Sequence, residues 1–343
     1  MRLRRPDRRH LLAAVAMLAA PGAQARRLRP APQVQINLAG QAPALTSPAG
    51  QAAVIPAGAD AASRMTTQVR LNGEGPYEFV VDTGANRSVV ASEAAATLRL
   101  PVGPQTPVHG IAGVEPAGTV EVASLAVGEV RSSGLELPIL PGGQLGAQGL
   151  LGVDVMRDRR VTLDFAAGVL VITPPRHEVD TPGLEAPTRI LGAHRDVISV
   201  AARYRFGQLT IVDADVDGVP VTAFLDSGSQ NTVANLALRN ALVGRRPGLT
   251  AQMHPVELLS ATGQSARGEV CVLPEIRLGG LAIGDLGAVF ADLHTFAIWR
   301  LIDRPAILIG VDVLRHFKAV ELDFSRRRVV FYAPRSATTV YGG

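Results

Sequence analysis

The order of apolar and polar side chains predicts a chain built mainly of short β-strands. Residues 67–71 and 214–216 alternate between apolar and polar side chains, as a strand with one buried face does. Each segment runs into a dipeptide typical of a hairpin turn, Asn72-Gly73 or Asp217-Gly218. Short apolar runs at 169–172 and 329–332 predict two further strands.

Only short helices are expected beside these strands. Gly and Pro number 35 and 24 in 343 residues, whereas the two together usually make up roughly 12% of a protein. So many turn residues exclude long helical bundles, and a hydrophobic fraction of 47% excludes a disordered chain. The apolar pattern predicts a short helix or loop at 88–98 and 232–242, and one short helix each at 153–157 and 311–318.

The second half of the chain repeats the first. Residues 79–90 align without a gap with residues 223–234, at an offset of 144 positions. Two further blocks match in the same order, 150–157 with 308–315 and 163–165 with 322–324. Three matched blocks in one order indicate a duplicated domain, so we expect two lobes of similar fold.

Each repeat carries an aspartate after an apolar segment, followed by a hydroxyl residue and a glycine. The two motifs are Asp82-Thr83-Gly84 and Asp226-Ser227-Gly228. Glycine permits a tight turn, and the hydroxyl can donate a hydrogen bond to the partner loop. If the lobes face each other across a pseudo-twofold axis, the two aspartates meet. Carboxylates about 3 Å apart share one proton, so one can activate a water while the other donates to a carbonyl under attack.

With these motifs the sequence resembles the retropepsin-like aspartic peptidases, in the form that carries two lobes in one chain. The resemblance covers about residues 66 to 334 and includes apolar-apolar-Gly blocks at 150–152 and 308–310, which in this family pass behind the active-site loops. It implies an all-β fold with a few short helices, in which two lobes enclose the active-site cleft. The sequence is more similar to bacterial exported members than to secreted pepsins.

The resemblance also implies which residues form the active site. Asp82 and Asp226 are the expected catalytic pair, and the residues expected to support them are Thr83, Gly84, Ser227, Gly228 and Ser229. Two segments lie where the family has flap hairpins over the cleft; their candidate residues are Gly110, Ile111, Gly113, Thr262 and Gly263. Neither segment contains the tyrosine of secreted pepsins. The neighbouring His109 is expected to be a solvated loop histidine.

Two details of the repeat lead to more specific hypotheses. Asp154 and Asp312 occur at matching positions and are expected to cap helices rather than to join the catalytic pair. The second lobe has Ser229 where the first has Ala85. A Ser229 hydroxyl that donated to the outer oxygen of Asp226 would favour its charged form, which makes Asp226 the expected resting anion and Asp82 the protonated partner.

The first 65 residues are expected to precede the two lobes. Residues 1–25 have the arginine-rich head, apolar run and small-x-small end of a secretory signal peptide, and Arg8-Arg9 leaves the twin-arginine and ordinary routes open. Residues 26–65 are interpreted as a flexible Ala/Pro-rich lead-in or a propeptide. The remaining boundaries are expected at 66–175 for the first lobe, 176–190 for a linker, 191–334 for the second lobe and 335–343 for a tail.

Charge and cysteine content argue against several other functions. The formal net charge of +4 resides in the first ten residues, so the rest of the chain is balanced and nucleic-acid binding is not expected. The single cysteine permits no intramolecular disulfide and no thiolate zinc site. The seven histidines lack metal-ligand spacing, and no nucleotide-binding or serine-hydrolase motif occurs. We therefore expect neither a metal nor a cofactor.

Together these features predict an exported, monomeric aspartic endopeptidase that cuts exported or envelope polypeptides in the periplasm or outside the cell. A polypeptide substrate is the expected partner, without a membrane anchor. Two alternatives remain open. One is a catalytically inactive peptide-binding or regulatory module of the same fold, and the other is a structural envelope protein in which the acidic pair is incidental.

Overall fold

Strands dominate the part of the chain that this computed structural model describes, which comprises residues 34–35, 44–46, 52–174, 197–205, 208–211 and 213–333. The predicted signal peptide, linker and tail (1–25, 176–190 and 335–343) lie outside the described residues. Asn72-Gly73 and Asp217-Gly218 form turns with positive φ at all four residues, as hairpin turns of this sequence require.

Two short strands lie on the N-terminal side of the first lobe. These are β1 (Val34–Gln35) and β2 (Ala44–Thr46). The lobe itself contains β3 (Ala53–Ala59), β4 (Met65–Leu71), β5 (Glu74–Val81), β6 (Val89–Ala91), β7 (Thr106–Gly110), β8 (Val114–Ala117), β9 (Thr119–Val127), β10 (Val130–Leu140), β11 (Gly149–Leu151), β12 (Arg160–Asp164) and β13 (Val169–Thr173). Its helices are α1 (Ser92–Thr97), α2 (Gly142–Leu145) and α3 (Val153–Met156).

The second lobe has a similar order of strands and short helices, with a longer helix after its aspartate loop. Its strands are β14 (Val197–Arg205), β15 (Gln208–Ile211), β16 (Ala214–Val216), β17 (Val219–Pro220), β18 (Thr222–Leu225), β19 (Val233–Ala234), β20 (His254–Leu259), β21 (Ser265–Leu278), β22 (Leu281–Ala291), β23 (Ala306–Ile309), β24 (Ala319–Asp323) and β25 (Arg328–Tyr332). Its helices are α4 (Leu236–Arg245), a 3-10 helix (Pro247–Gln252), α5 (His294–Ile298) and α6 (Val311–Leu314). Helix α6 ends four residues before the predicted limit at Lys318.

A six-stranded antiparallel sheet joins the lobes. Its order is β3-β13-β12-β24-β25-β14, so each lobe contributes three neighbouring strands. Strands β12 and β24 meet at the centre with Thr162 opposite Glu321, which places the pseudo-twofold axis between them. Alternate side chains of the two central strands enter the core, namely Val161, Leu163, Val320 and Leu322. This core is continuous through both lobes.

The first lobe begins earlier than its composition predicted. Strand β3 lies within residues 26–65, which were expected to be unstructured, and it pairs with β13 in the shared sheet. Ala53 and Ile55 are buried as in an ordinary strand, but Pro56 and Gly58 give the segment the composition of a linker. The shared sheet thus includes a strand on the N-terminal side of the predicted boundary at residue 66. Strands β1 and β2 of the same segment pair with β7 and β10.

Helices in the described residues are short. None of them has both the length and the apolar character that a membrane span needs.

Candidate active site

Asp82 and Asp226 each follow the last residue of a buried strand. Strand β5 ends at Val81 and β18 at Leu225. A second strand lies parallel behind each of them, β11 behind β5 and β23 behind β18. The backbone NH of Asp82 donates to the Leu151 carbonyl at 3.0 Å, and that of Asp226 to the Ile309 carbonyl at 2.9 Å. The apolar-apolar-Gly blocks thus fix the position of both aspartates.

The two aspartate loops interlock so closely that only glycine fits between them. A Cβ atom at Gly228 would lie 2.2 Å from Cγ of Asp82, and one at Gly84 would lie 2.3 Å from Oδ2 of Asp226. Each carboxyl group therefore packs directly on the opposite loop. Both carboxyl groups are fully buried.

Backbone NH groups hold one oxygen of each carboxyl group. Oδ1 accepts from the residues two and three positions later, at 2.8 and 3.0 Å for Asp82 and at 2.9 and 3.0 Å for Asp226. Within the described part of the chain, Oδ2 of each aspartate has no hydrogen-bond partner outside the pair. The two oxygens without fixed donors are those that can take part in proton transfer.

The hydroxyl groups of Thr83 and Ser227 cross between the lobes in both directions. The Thr83 hydroxyl donates to the Leu225 carbonyl at 3.0 Å and accepts from the Ser227 NH at 3.0 Å. The Ser227 hydroxyl donates to the Val81 carbonyl at 2.7 Å and accepts from the Thr83 NH at 3.1 Å. These four buried hydrogen bonds lock the relative position of the aspartates.

Removing one of these hydroxyls is expected to destabilise the whole protein. The substitution Thr83→Ala leaves the Leu225 carbonyl and the Ser227 NH buried without their partners, at about 1–3 kcal/mol for each group. Thr83→Ser keeps the hydroxyl and loses only a methyl group, about 1 kcal/mol. Urea unfolding should therefore show Thr83→Ala to be the less stable of the two variants by at least about 1 kcal/mol. Equal stabilities would show that the crossing bonds contribute nothing.

Burial raises the pKa of both aspartates. Loss of solvation raises the pKa of Asp82 to about 6, against the lowering effects of the Gly84 NH and of Arg64. Loss of solvation and then the charge of Asp82 raise the pKa of Asp226 well above its ordinary value. Because the pair is coupled, one proton is shared over the pH range between the two titrations.

The Ser229 hydroxyl does not make the contact on which the hypothesis of a charged Asp226 was based. The Ser229 hydroxyl donates to the Asn231 carbonyl at 2.7 Å, and only the Ser229 NH reaches Asp226. The proposed hydroxyl donor to the outer oxygen of Asp226 is therefore engaged by another acceptor. Serine hydroxyls commonly bond to nearby backbone groups, and here the acceptor is the carbonyl two residues later.

Asp154 and Asp312 bind both the aspartate loops and the first turns of helices α3 and α6. The helix N-caps are Gly152 and Gly310, so both aspartates lie one position inside their helices. The Asp154 carboxylate accepts from the NH and hydroxyl of Ser88, and Asp312 accepts likewise from Thr232. The NH of Val155 also donates to Asp154 at 3.0 Å and that of Val313 to Asp312 at 2.9 Å, so both carboxylates bind an NH group of the first helical turn from within that turn.

The first candidate flap closes onto the opposite lobe. Gly110, Ile111 and Gly113 lie at the tip of the β7–β8 hairpin. The Ile111 side chain is buried in an apolar cluster of the second lobe, whose other members include Phe224, Val256, Leu258, Leu293, Phe296 and Trp299. The Ile111 carbonyl accepts from the NH of His294 at 2.8 Å.

The second candidate flap meets the first. Thr262 and Gly263 lie at the tip of the β20–β21 hairpin. Gly110 of the first flap packs against Ser260 and Thr262, and Gly263 packs against Gln144 of the first lobe. Because the flaps touch and the aspartates are fully buried, a polypeptide can reach the carboxyl groups only after the flaps separate.

His109 is not the solvated loop residue that was expected. Its Nδ1 lies 3.0 Å from Nε2 of His294, and the two rings are stacked at 5.3 Å between centroids. The partner is 185 positions away, so no local pattern could have identified it. Loss of solvation and then the charge of His294 lower the pKa of His109. The pair links the first flap to helix α5.

Acidification is therefore expected to loosen the first flap. A pair with both rings protonated has two donors and no acceptor between the rings, so it loses its hydrogen bond and repels. Since the lowered pKa disfavours protonation in the closed form, closure is stable above the ordinary histidine pKa of about 6.5 and weakens as the pH falls below it. Trp299, the single tryptophan, shares the apolar cluster with Ile111, so its emission should shift to longer wavelength between pH 7.5 and 5.

Two variants check this prediction. His109→Gln removes the titrating ring and should abolish the pH response, whereas His254→Gln at an exposed position should retain it. A response that survives in His109→Gln would assign it to another group.

No group of three or more His, Cys, Asp or Glu side chains that could hold a metal ion occurs among the described residues. The buried Cys271 is a free thiol.

Two interlocked Asp-Thr/Ser-Gly loops between β-lobes define an aspartic-protease type of fold and site. A family model described as "Aspartyl protease" matches residues 67–155 and 212–313. These two regions make up more than half of the chain, and each contains one of the aspartate loops. The chain belongs to the aspartyl protease family, whose members are peptidases. The predicted family and fold class are thereby confirmed.

Other comparisons give more distant similarity. A solved structure titled "Crystal structure of edgp" matches with a TM-score of 0.44 and 12% identity, over 84% of this chain and 96% of that chain. None of the curated proteins matches the sequence.

Proposed function

We propose that the chain is an aspartic endopeptidase that hydrolyses peptide bonds in exported or envelope polypeptides, with Asp82 and Asp226 as its catalytic pair. The observation that carries the proposal is the meeting of two fully buried carboxyl groups, one from each lobe. Among the residues that the structure describes, their Oδ2 atoms have no partner outside the pair. Burying two carboxyl groups together raises their pKa values and lowers the stability of the folded state. A catalytic role explains why the protein retains this destabilising arrangement.

The mechanism follows from the protonation of the pair. Charged Asp82 takes a proton from a water molecule as the water oxygen attacks the carbonyl carbon of the substrate. Protonated Asp226 gives its proton to the carbonyl oxygen, so a neutral tetrahedral intermediate forms. When the C–N bond breaks, the proton held on Asp82 passes to the leaving nitrogen and Asp226 recovers its proton from the intermediate. Closed flaps exclude bulk water from these steps.

The location and partner of the enzyme are part of the same proposal. The signal-like residues 1–25 support export to the periplasm or beyond. Both aspartates belong to one chain, which supports a monomer that needs no second copy to complete its site. The partner is an extended polypeptide, because only a segment without folded bulk fits under two flaps.

The direct test is cleavage of an unfolded protein by purified residues 26–343 between pH 4 and 8. A second form that begins at residue 52 is compared with it, because β1 is paired with flap strand β7 in the longer form. Thermal shift with a statine-type transition-state mimic is measured in parallel, since only an assembled pair should bind it. Cleavage products together with a raised melting temperature support the proposal. Peptide binding without products from either form would favour the inactive binding module.

A further inference from the structure

Arg64 is a buried cation beside the active site that belongs to neither aspartate motif. Its side chain is 2% exposed and forms an ion pair with Asp60. It also donates to the Leu145 carbonyl at 2.7 Å and to the Gly228 carbonyl at 3.4 Å. Arg64 thus connects the first lobe to the aspartate loop of the second lobe. Sequence analysis had placed it at the end of the lead-in.

The geometry directs this cation towards Asp82. Asp60 binds Arg64 through Nε and Nη2, whereas Nη1 faces the Gly228 carbonyl. Gly228 in turn lies against the Asp82 carboxyl group, so close that a Cβ atom there would be 2.2 Å from its Cγ. The electrostatic interaction between the Arg64 guanidinium and the Asp82 carboxyl group is weakly screened, because both groups are buried away from water. Among the described residues, the charged or titratable groups that act on Asp82 are Arg64 and Asp226, and Asp60 is the counter-ion of Arg64.

The second lobe has no charge at the corresponding position. Thr66 pairs with Val80 as Thr210 pairs with Phe224, and this common register makes Gln208 the counterpart of Arg64. The repeat is therefore symmetric in backbone but asymmetric in charge. The two aspartates, which are otherwise held by equivalent NH groups, experience different surroundings for this reason.

We propose that Arg64 is a positioning residue that makes Asp82 the charged member of the catalytic pair. It acts through space across the Gly228 loop and does not touch the substrate. The inference rests on the proposed catalytic role of the pair. Its consequence is that water is activated from the side of the first lobe and the carbonyl proton comes from the second. The charge of Arg64 lowers the pKa of Asp82, which agrees with this polarity.

Two variants with opposite expected effects test the inference. Asp60→Asn leaves the cation without its counter-charge, so the pKa of Asp82 should fall by about half a unit or more. The double variant Arg64→Met with Asp60→Asn removes both charges, so this pKa should rise by a similar amount. Arg64→Lys with Asp60 intact keeps the charge and should leave the pKa nearly unchanged. A purely structural role would not produce shifts of opposite sign.

The pKa is measured by ¹³C NMR of residues 26–343 labelled at aspartate Cγ, with the Asp82 signal assigned by its loss in Asp82→Asn. The acid limb of the pH–rate profile should move in the same direction as the pKa. Shifts of one sign in both variants, or no shift, would overturn the role of Arg64. If the double variant does not fold, the inference is still tested by the other two variants. The pKa of Asp82 should fall in Asp60→Asn and stay unchanged in Arg64→Lys. The NMR titration gives its answer even if no substrate is cleaved, so failure of the proposed function is distinguished from failure of this inference.

Discussion

Replacing either Asp82 or Asp226 with asparagine is expected to reduce kcat/KM for peptide cleavage by at least about 10³-fold. Each variant keeps the shape and the Oδ1 acceptor of the side chain but loses one of the two proton-transfer groups, and one such group contributes roughly 10²–10⁴-fold. Because the pair works as a unit, the double variant should be hardly worse than either single one. The measurement is the rate of product formation from an unfolded substrate at pH 6.5.

A matched substitution separates this effect from a general loss of charge. Asp292→Asn changes an exposed aspartate of the second lobe and should leave the rate unchanged. The melting temperatures of Asp82→Asn and Asp226→Asn should not fall appreciably, since burial already disfavours the ionised form of both groups. Substantial cleavage by either single variant would contradict the catalytic pair.

Alanine at Gly228 or Gly84 is expected to reduce cleavage about as severely as loss of an aspartate. The added Cβ would lie 2.2 Å from Cγ of Asp82 or 2.3 Å from Oδ2 of Asp226. The obstructing atoms belong to a carboxyl group fixed by two NH donors on a rigid loop, so the loops must separate and the carboxyl groups lose their alignment. A displacement of 1 Å at such a site can cost about 10²-fold in rate.

The control for this pair is Gly244→Ala. Gly244 lies in helix α4 with nothing within 4 Å of an added Cβ, so the substitution should stabilise the helix by up to about 1 kcal/mol and leave the rate unchanged. Retained activity in Gly228→Ala or Gly84→Ala would mean that the two loops are less tightly interlocked than the structure shows.

The sequence identified those parts of the site that depend on a local pattern. Asp82 and Asp226 were found because each ends an apolar segment and because the pattern occurs twice. The crossing hydroxyls of Thr83 and Ser227 followed from the same motif. Strand β3 was missed because Pro and Gly obscure its alternation, even though the shared sheet stabilises it through β13.

The remaining features depend on contacts between distant residues. Arg64 is 164 positions from Gly228. The sequence around either residue contains no pattern that predicts contact with the other. His109 meets His294 only because the first flap closes on the opposite lobe. The Ser229 hydroxyl was assigned the wrong acceptor because the sequence does not show that the loop brings the Asn231 carbonyl to it. Sequence patterns predict the local structure of a segment and which of its side chains are exposed on one face. They do not predict which distant residues contact those side chains.

The sheet that joins the lobes has a consequence for biosynthesis. Strand β12 finds its partner β24 only after about 155 further residues have been made, counted from Asp164 to Ala319. At about 5–20 residues per second this takes roughly 8–30 s. During that interval a first lobe that has folded exposes the backbone hydrogen-bonding groups of Arg160–Asp164 as an unpaired strand edge. A second nascent copy exposes the same edge, so dimers with exchanged lobes are the expected by-product of crowded synthesis.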